Sequence, residues 1–270
     1  MSLSLGTLTV DRVVELEHWP FAPEELFPGL DPCGRLDLQI ATYLVRTSDV
    51  TVLVDAGNGN DKHRPVLAAH ADFRTDYLDR LTALVPPESV DVVVCTHLHP
   101  DHCGGLTRLV DGEWVPVFPR ARHLLAAADL DWLAGLAAGP ADGVLADLAR
   151  TYADSVAPVV DAGLVSAVEA PHEVVPGITL RPLPGHTAGH LVVDLDGAAV
   201  ISGDAIHHPL QFDDLDLSQA GDADPVLAAR SRHQLCTRLA DDGGLLLPAH
   251  FSPGRLTRSG DRLHYVPTEL

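Results

Sequence analysis

Within ten residues, Thr96-His97-Leu98-His99-Pro100-Asp101-His102-Cys103-Gly104-Gly105, the chain carries three imidazoles and one carboxylate. These are the nitrogen and oxygen donors that divalent ions such as zinc prefer. His97 and His99, two positions apart, share a face if the segment is extended. Asp101 and His102 fall where the chain turns, so they can face a second ion. A plain solvated loop does not explain the pattern: buried neutral imidazoles crowded together need partners, and exposed ones need no such spacing. Gly104 and Gly105 let the backbone pass close by and start the next segment.

A metal site draws donors from more than one stretch of chain, and in α/β sheets such donors sit at the carboxyl ends of strands. The sequence supplies them. His186, in Pro184-Gly185-His186-Thr187, follows an apolar strand pattern at 178–183. Asp204 follows one at 198–202, and His250 follows the apolar run at 245–247. Other strands are expected at 40–46, at 50–55, which closes on Asp55-Ala-Gly-Asn-Gly, and at 191–195. The β-branched run 90–96 has too few polar breaks to be half exposed, so it reads as a strand covered on both faces. Apolar spacing of three or four predicts helices over 65–84, 124–136 and 144–160. A further helix is expected over 224–240, with Asp224 as N-cap, Pro225 in its first turn and Gly243-Gly244 as the stop.

The chain has 270 residues, of which 46% are apolar and 21% charged, an ordinary composition for a folded protein. No linker or low-complexity tract divides it, so one α/β domain spanning 1–270 is expected, with 1–38 as a substrate-side lid or dimer contact. Eighteen Lys and Arg against 38 Asp and Glu leave a net charge of −20. Such a field repels phosphodiester backbones and anionic headgroups, which excludes nucleic acid and membrane as expected partners. The first ten residues lack a basic, apolar leader pattern, and no run approaches a spanning helix, so a cytoplasmic location is expected. Cys33, Cys95, Cys103 and Cys236 form no CxxC pair and read as reduced thiols.

The HxHxDH run followed by His, Asp and His at strand ends resembles the metallo-β-lactamase-fold hydrolases. That resemblance covers most of the chain and implies a four-layer αβ/βα sandwich, two mixed sheets flanked by helices. It implies two divalent metal ions, zinc first, with manganese, cobalt or iron as alternatives. His97, His99 and His186 would hold one, Asp101, His102 and His250 the other, and Asp204 would bridge them. Within the superfamily, true β-lactamases carry a cysteine where this chain has Asp204, and flavodiiron proteins a glutamate where it has His99. Glyoxalase II shares the ligands, with Arg255, Arg258 and Arg262 as candidate anion contacts. The stretch from Gly203 to Gln211 is more similar to the lactonase and methyl-parathion-hydrolase-like branch.

The resemblance therefore implies opening of a lactone, or cleavage of an ester, of a neutral small molecule by attack of a metal-bridging hydroxide. Asp101 would donate a proton to the leaving group. His207 stands where several lactonases have a tyrosine, so it is the candidate hydrogen-bond donor to the substrate carbonyl, with His208 as its competitor. A phosphotriester or a glyoxalase II-like thioester is the alternative substrate. An oxidoreductase of persulfide-dioxygenase type, with one iron, is the alternative from another class. Asp55 and His190 are candidate supports for the ligands, and Trp19, Phe21, Phe27, Leu210 and Phe212 could line an apolar pocket or serve as core. His18, His63, His70, His123, His172, His233 and His264 read as surface or packing residues, and a homodimer is a possible assembly.

Overall fold

Alternation of buried side chains along short strands decides the architecture. In the computed structural model, which describes residues 2–31, 34–260 and 262–268, β1 (Ser2–Leu5), β2 (Leu8–Phe21), β3 (Leu36–Arg46), β4 (Thr51–Val54) and β5 (Val92–Val94) begin one sheet. A hairpin of β6 (Thr107–Val110) and β7 (Glu113–Pro116) intervenes. Then β8 (Arg122–Ala126) and β9 (Val165–Val168) complete the order β1-β2-β3-β4-β5-β8-β9. The second sheet runs in sequence order through β10 (His172–Val175), β11 (Ile178–Pro182), β12 (Leu191–Leu195), β13 (Ala199–Ile201), β14 (Leu245–Leu247), β15 (Gly254–Ser259) and β16 (Arg262–Pro267). Both sheets are mixed: β4, β5, β8 and β9 pair parallel, as do β13 and β14, and the other neighbours pair antiparallel. The helices are α1 (Pro23–Leu26), α2 (Tyr77–Leu84), α3 (Pro100–Cys103), α4 (Ala127–Ala138), α5 (Gly143–Thr151), α6 (Ala157–Asp161) and α7 (Pro225–Asp242).

Every second residue of the central strands faces the other sheet. Val52, Val54, Val92, Val94 and Leu124 meet Leu191, Val193, Ala199, Ile201, Leu245 and Leu247 in one buried cluster. The intervening residues turn outward. Leu53, Val93 and Leu125 pack beneath Leu81, Leu133, Leu148 and Val159 of the helices, and Val192, Val200 and Leu246 pack beneath Leu235 and Leu239 of α7. The result is four layers, helices outside and two sheets within. Because burying one Val or Leu side chain contributes about 1.5–3 kcal/mol, a one-residue slip of any strand would expose its whole inward set.

Two expected helices are corrected. The pattern at 65–84 is helical only in α2, and Ala68–His70 is a single 3₁₀ turn. Side chains from elsewhere hold this loop: Asp147 accepts both Val66 N and Leu67 N at 2.7 Å, and Arg64 pairs with Asp154 at 2.6 Å. Asp61 and Asp72 take positive φ, which a helix forbids. The helix expected over 124–136 begins only at Ala127, because Arg122–Ala126 is the strand beside β5. Such a short apolar run suits a buried strand as well as a helix, and periodicity cannot choose between them. The α7 expectation stands, with the Asp224 side chain accepting Leu227 N at 3.0 Å and Gly243 left-handed at its end. The N-terminal segment, expected as lid or dimer contact, forms strands β1 and β2 along β3. Cys95, Cys103 and Cys236 are buried free thiols, whereas Cys33 lies outside the described residues. No helix among the described residues is long and apolar enough to cross a membrane.

Glu15 of β2 is buried and caps the loop that follows β4, accepting Asn58 N at 2.6 Å and Gly59 N at 3.0 Å. Burial outweighs these two donors and raises its carboxyl to about 7. The folded chain therefore holds a proton there, between the ordinary value and about 7, that the unfolded chain has released. Stability from this group is greatest below the ordinary value and is lost as pH rises through that window. Glu15→Gln should flatten the dependence: in urea titrations of metal-free protein, the variant should gain roughly 3 kcal/mol relative to wild type between pH 5 and 8. A constant difference across that range would refute the assignment.

Candidate metal centre

The sequence cluster begins one turn beyond β5. Thr96 is pinned there by Asp55, whose Oδ1 accepts its amide at 2.7 Å. His97 follows, and His99 sits at the start of α3 with Pro100 in its first turn, so Asp101 and His102 lie on one short helix. The chain then passes so near the β4 loop that a Cβ on Gly104 would collide with the Asn58 carbonyl, and one on Gly105 with that of Ala56. Only glycine fits at both. From the other half come His186 after β11, Asp204 in the turn after β13, and His250 after β14.

All seven residues expected as ligands converge. One set, His97, His99, His186 and Asp204, offers donor atoms within 4.8 Å of one another, and Asp101, His102 and His250 form another. Asp204 stands between them with one oxygen toward each. Its Oδ2 lies 3.3 Å from His186 Nε2 and 3.7 Å from His97 Nε2. Its Oδ1 lies 2.9 Å from both His102 Nε2 and His250 Nε2. Asp101 Oδ2 lies 3.3 Å from His102 Nε2 and 3.7 Å from His250 Nε2.

Burial lowers His97 well below the usual imidazole range and His99 to about 3, which leaves both rings neutral, with His99 Nδ1 2.9 Å from His186 Nε2. Burial opposes protonation of His102 too, but the carboxylates of Asp204, Asp101 and Asp55 outweigh it and hold that ring well above the usual value. Asp204 is held well below the ordinary carboxylate value: burial works against this, and the surrounding imidazoles, His102 first, prevail. The donor set fits a pair of divalent cations. His97 Nε2 is buried without a hydrogen bond, and cations would compensate both its lone pair and the carboxylates crowded among the imidazoles.

Three of the ligand candidates, His102, His186 and His250, are oriented through their other ring nitrogen, the arrangement that fixes tautomer and ring angle at metal sites. His102 Nδ1 donates to Asp55 Oδ2 at 2.9 Å, as the sequence suggested for Asp55. His186 Nδ1 donates to Asp222 Oδ1 at 3.0 Å, and His250 Nδ1 to the Gln39 carbonyl at 2.8 Å. Burial lowers His190 to about 3, and its Nε2 accepts the Asp204 amide at 3.0 Å. His190 is thus a support for Asp204.

His207 also reaches the cluster. Its Nε2 is 3.0 Å from Asp204 Oδ2, its ring stacks on His250 at 5.6 Å, and Asp204, His207 and His250 form a third donor group. His208 belongs to none of the three donor groups, and its Nδ1 accepts Leu210 N at 3.2 Å in the following turn. Among the apolar candidates, Trp19 reaches the centre with its ring 5.9 Å from that of His250. Phe27 and Phe212 are core residues of two separate clusters. Two supports escaped sequence reasoning: Asp222 reads there as one more turn carboxylate, and Gln39 acts through its carbonyl and leaves no side-chain signature. His70, expected as surface or packing, lies 3.8 Å from Asp101 Oδ1.

Fold and site together define an αβ/βα sandwich that presents a histidine and aspartate cradle at the strand ends between its sheets. The chain belongs to the metallo-beta-lactamase superfamily, whose family model matches residues 35–250. An N-acyl homoserine lactonase from Bacillus sp is 27% identical over 203 residues, covering 68% of this chain and 70% of that protein. A putative diflavin flavoprotein from Nostoc sp. is 33% identical over 99 residues, which is 37% of this chain and only 14% of the flavoprotein. Among solved structures, the hydrolase AbOPH superposes with a TM-score of 0.81 at 20% identity, covering 100% of this chain and 97% of its own. AidC, a dizinc quorum-quenching lactonase in complex with its product, superposes with a TM-score of 0.78 at 19% identity, with the same coverage.

Removing the Asp222 carboxylate frees the His186 ring to rotate. Asp222→Ala should weaken zinc binding about 10–100-fold in a chelator competition while the far-ultraviolet circular dichroism stays unchanged. Asp216→Ala, which removes an exposed partner of His233, serves as the control and should bind zinc like wild type. Equal affinities in all three proteins would contradict the orienting role.

Proposed function

We propose that this protein is a two-metal hydrolase that opens a lactone, or cleaves an ester, of a neutral small molecule. The observation that carries the reading is the Asp204 carboxylate, set with one oxygen toward each histidine group. His97, His99 and His186 would hold one ion, Asp101, His102 and His250 the other, with Asp204 shared. Histidine and carboxylate donors suit zinc and also accept manganese, cobalt or iron. Two bound divalent ions supply the Lewis acidity that ionises water near neutral pH and polarises a carbonyl.

The protein's own groups do the rest. His207, buried with Nε2 3.0 Å from Asp204 Oδ2 and no hydrogen bond at Nδ1, is placed to donate a hydrogen bond to the oxygen that gains charge as the carbonyl is attacked. Its backbone is fixed by the bond from His207 N to Gln211 Oε1 at 2.8 Å. Asp101, a member of the second ligand group, would take up the proton released as water adds to the carbonyl and pass it to the leaving alkoxide. The net charge of −20 favours neutral substrates and expulsion of a carboxylate product. The lactonase relatives support the same substrate class, and the three buried thiols agree with a cytoplasmic setting.

A panel of lactones, aryl esters, thioesters and a phosphotriester, assayed on zinc-quantified protein, tests the proposal. Two ions per chain and turnover of a lactone or ester are expected. Turnover confined to the phosphotriester or thioester moves the protein to the alternative hydrolase, and one iron with oxygen consumption moves it to the dioxygenase class. Asp204→Ala should drop bound zinc below two per chain and cut the rate by at least about 10³-fold. His207→Phe should keep both ions yet lower kcat about 10²-fold. Retention of both ions by Asp204→Ala would sink the ligand assignment.

A further inference from the structure

His70 comes from none of the strand ends that deliver the cluster. It closes the turn Ala68–His70, and that turn is tied from three directions. Trp19 Nε1 donates to the Ala69 carbonyl at 2.8 Å, Asn58 Nδ2 donates to the His70 carbonyl at 3.1 Å, and His70 N donates to the Leu67 carbonyl at 2.8 Å. The Trp19 ring stands edge-on to the imidazole with centroids 4.9 Å apart. The ring is therefore held in place before anything binds.

What it is held against is Asp101. His70 Nδ1 is buried and makes no hydrogen bond, and the Asp101 Oδ1 atom 3.8 Å away is its one carboxylate partner among the described residues. The other oxygen of Asp101, Oδ2, faces His102 and His250. The carboxylate is thus divided, with one oxygen toward the second ligand group and one toward His70. Packing beneath Trp19 would need only an apolar side chain, and the three bonds that fix the turn use backbone atoms of the loop. The placement of Nδ1 remains to be explained by Asp101.

We propose that His70 is a positioning residue for Asp101: Nδ1 donates to Oδ1 and fixes the rotation of the carboxylate, so that Oδ2 is presented to the ion held with His102 and His250. The gap is about 1 Å longer than a hydrogen bond, which a small side-chain rotation closes. This role rests on the two-ion reading, in which Asp101 is a ligand.

Two variants of the full-length chain separate a hydrogen-bonding role from packing. His70→Asn keeps a donor where Nδ1 stands, and His70→Leu keeps much of the volume without one. The readouts are stepwise zinc affinity by chelator competition and the visible absorption of the cobalt-substituted protein, neither of which needs a substrate. In His70→Leu the weaker of the two zinc sites should lose about 10–100-fold in affinity, with the cobalt bands shifted and the tighter site unchanged. His70→Asn should stay within about threefold of wild type and keep its spectrum. Wild-type affinity and spectrum in His70→Leu would overturn the proposal, as would equal losses in both variants, which would mark a packing role. The hydrolase reading fails separately: if zinc-loaded wild type turns over nothing on the substrate panel while His70→Leu alone loses its weaker ion, the role of His70 stands and the assigned reaction does not.

Discussion

The structure turns on one buried carboxylate shared by two groups of imidazoles. Asp204 can serve both only if β5, β11, β13 and β14 end at the same edge, because its neighbours follow those strands. That requirement accounts for the parallel pairings at the middle of each sheet, since a parallel crossover returns the chain to the same end of the sheet. It also accounts for the glycines at 104 and 105, where any side chain would push α3 away from the β4 loop and take Asp101 and His102 with it.

Charge imposes the second constraint. Asp55, Asp101, Asp204 and Asp222 are all buried and faced by imidazoles, and Asp222 also has Arg232 Nη2 3.6 Å from its Oδ2. Imidazole can be donor or acceptor, charged or neutral, so one residue type can orient a ligand, serve as a ligand and accept from a backbone amide. His190 shows the last use, and His102, held by Asp55, offers its other nitrogen to the centre. The chain's lysine and its neighbour in the same loop are kept out of this centre: Lys62 packs over Trp114, and Arg64 pairs with Asp154. Both fasten the loop that carries His70 without bringing a fixed positive charge against the site.

Much of this was legible in the amino-acid order, and the reason is physical. Ligands at strand ends are bound to short local patterns: HxHxDH is contiguous, and His186, Asp204 and His250 each follow an apolar run. Strands were legible at 191–195 and 245–247 as short apolar runs bounded by turn residues, but runs without alternation do not say which strand each pairs with. The loop at 61–75 was not, since its conformation is set by Asp147 and Asp154, more than eighty residues away. Apolar spacing there suggested a helix because Leu67 and Phe73 do meet the core, each in a different cluster, although Val66 stays exposed. His70 and Asp222 were hidden likewise: each acts through a partner brought near only by the completed fold.

The two halves place equivalent groups at equivalent points. In the first, β3 and β4 pair antiparallel, Asp55 follows β4, and the parallel neighbour β5 leads to His97. In the second, β12 and β13 pair antiparallel, Asp204 follows β13, and the parallel neighbour β14 leads to His250. Each half thus sets an aspartate after one strand and a histidine after its parallel partner. Their roles differ because of what fills the space beyond. Asp55 is covered by Thr96 and His102 and spends its oxygens on orienting them. Asp204 has its amide held from behind by His190 and turns both oxygens into the gap between the sheets. A repeated topology supplied two carboxylates at one edge, and the side chains packed around each decided which became the support and which the shared centre.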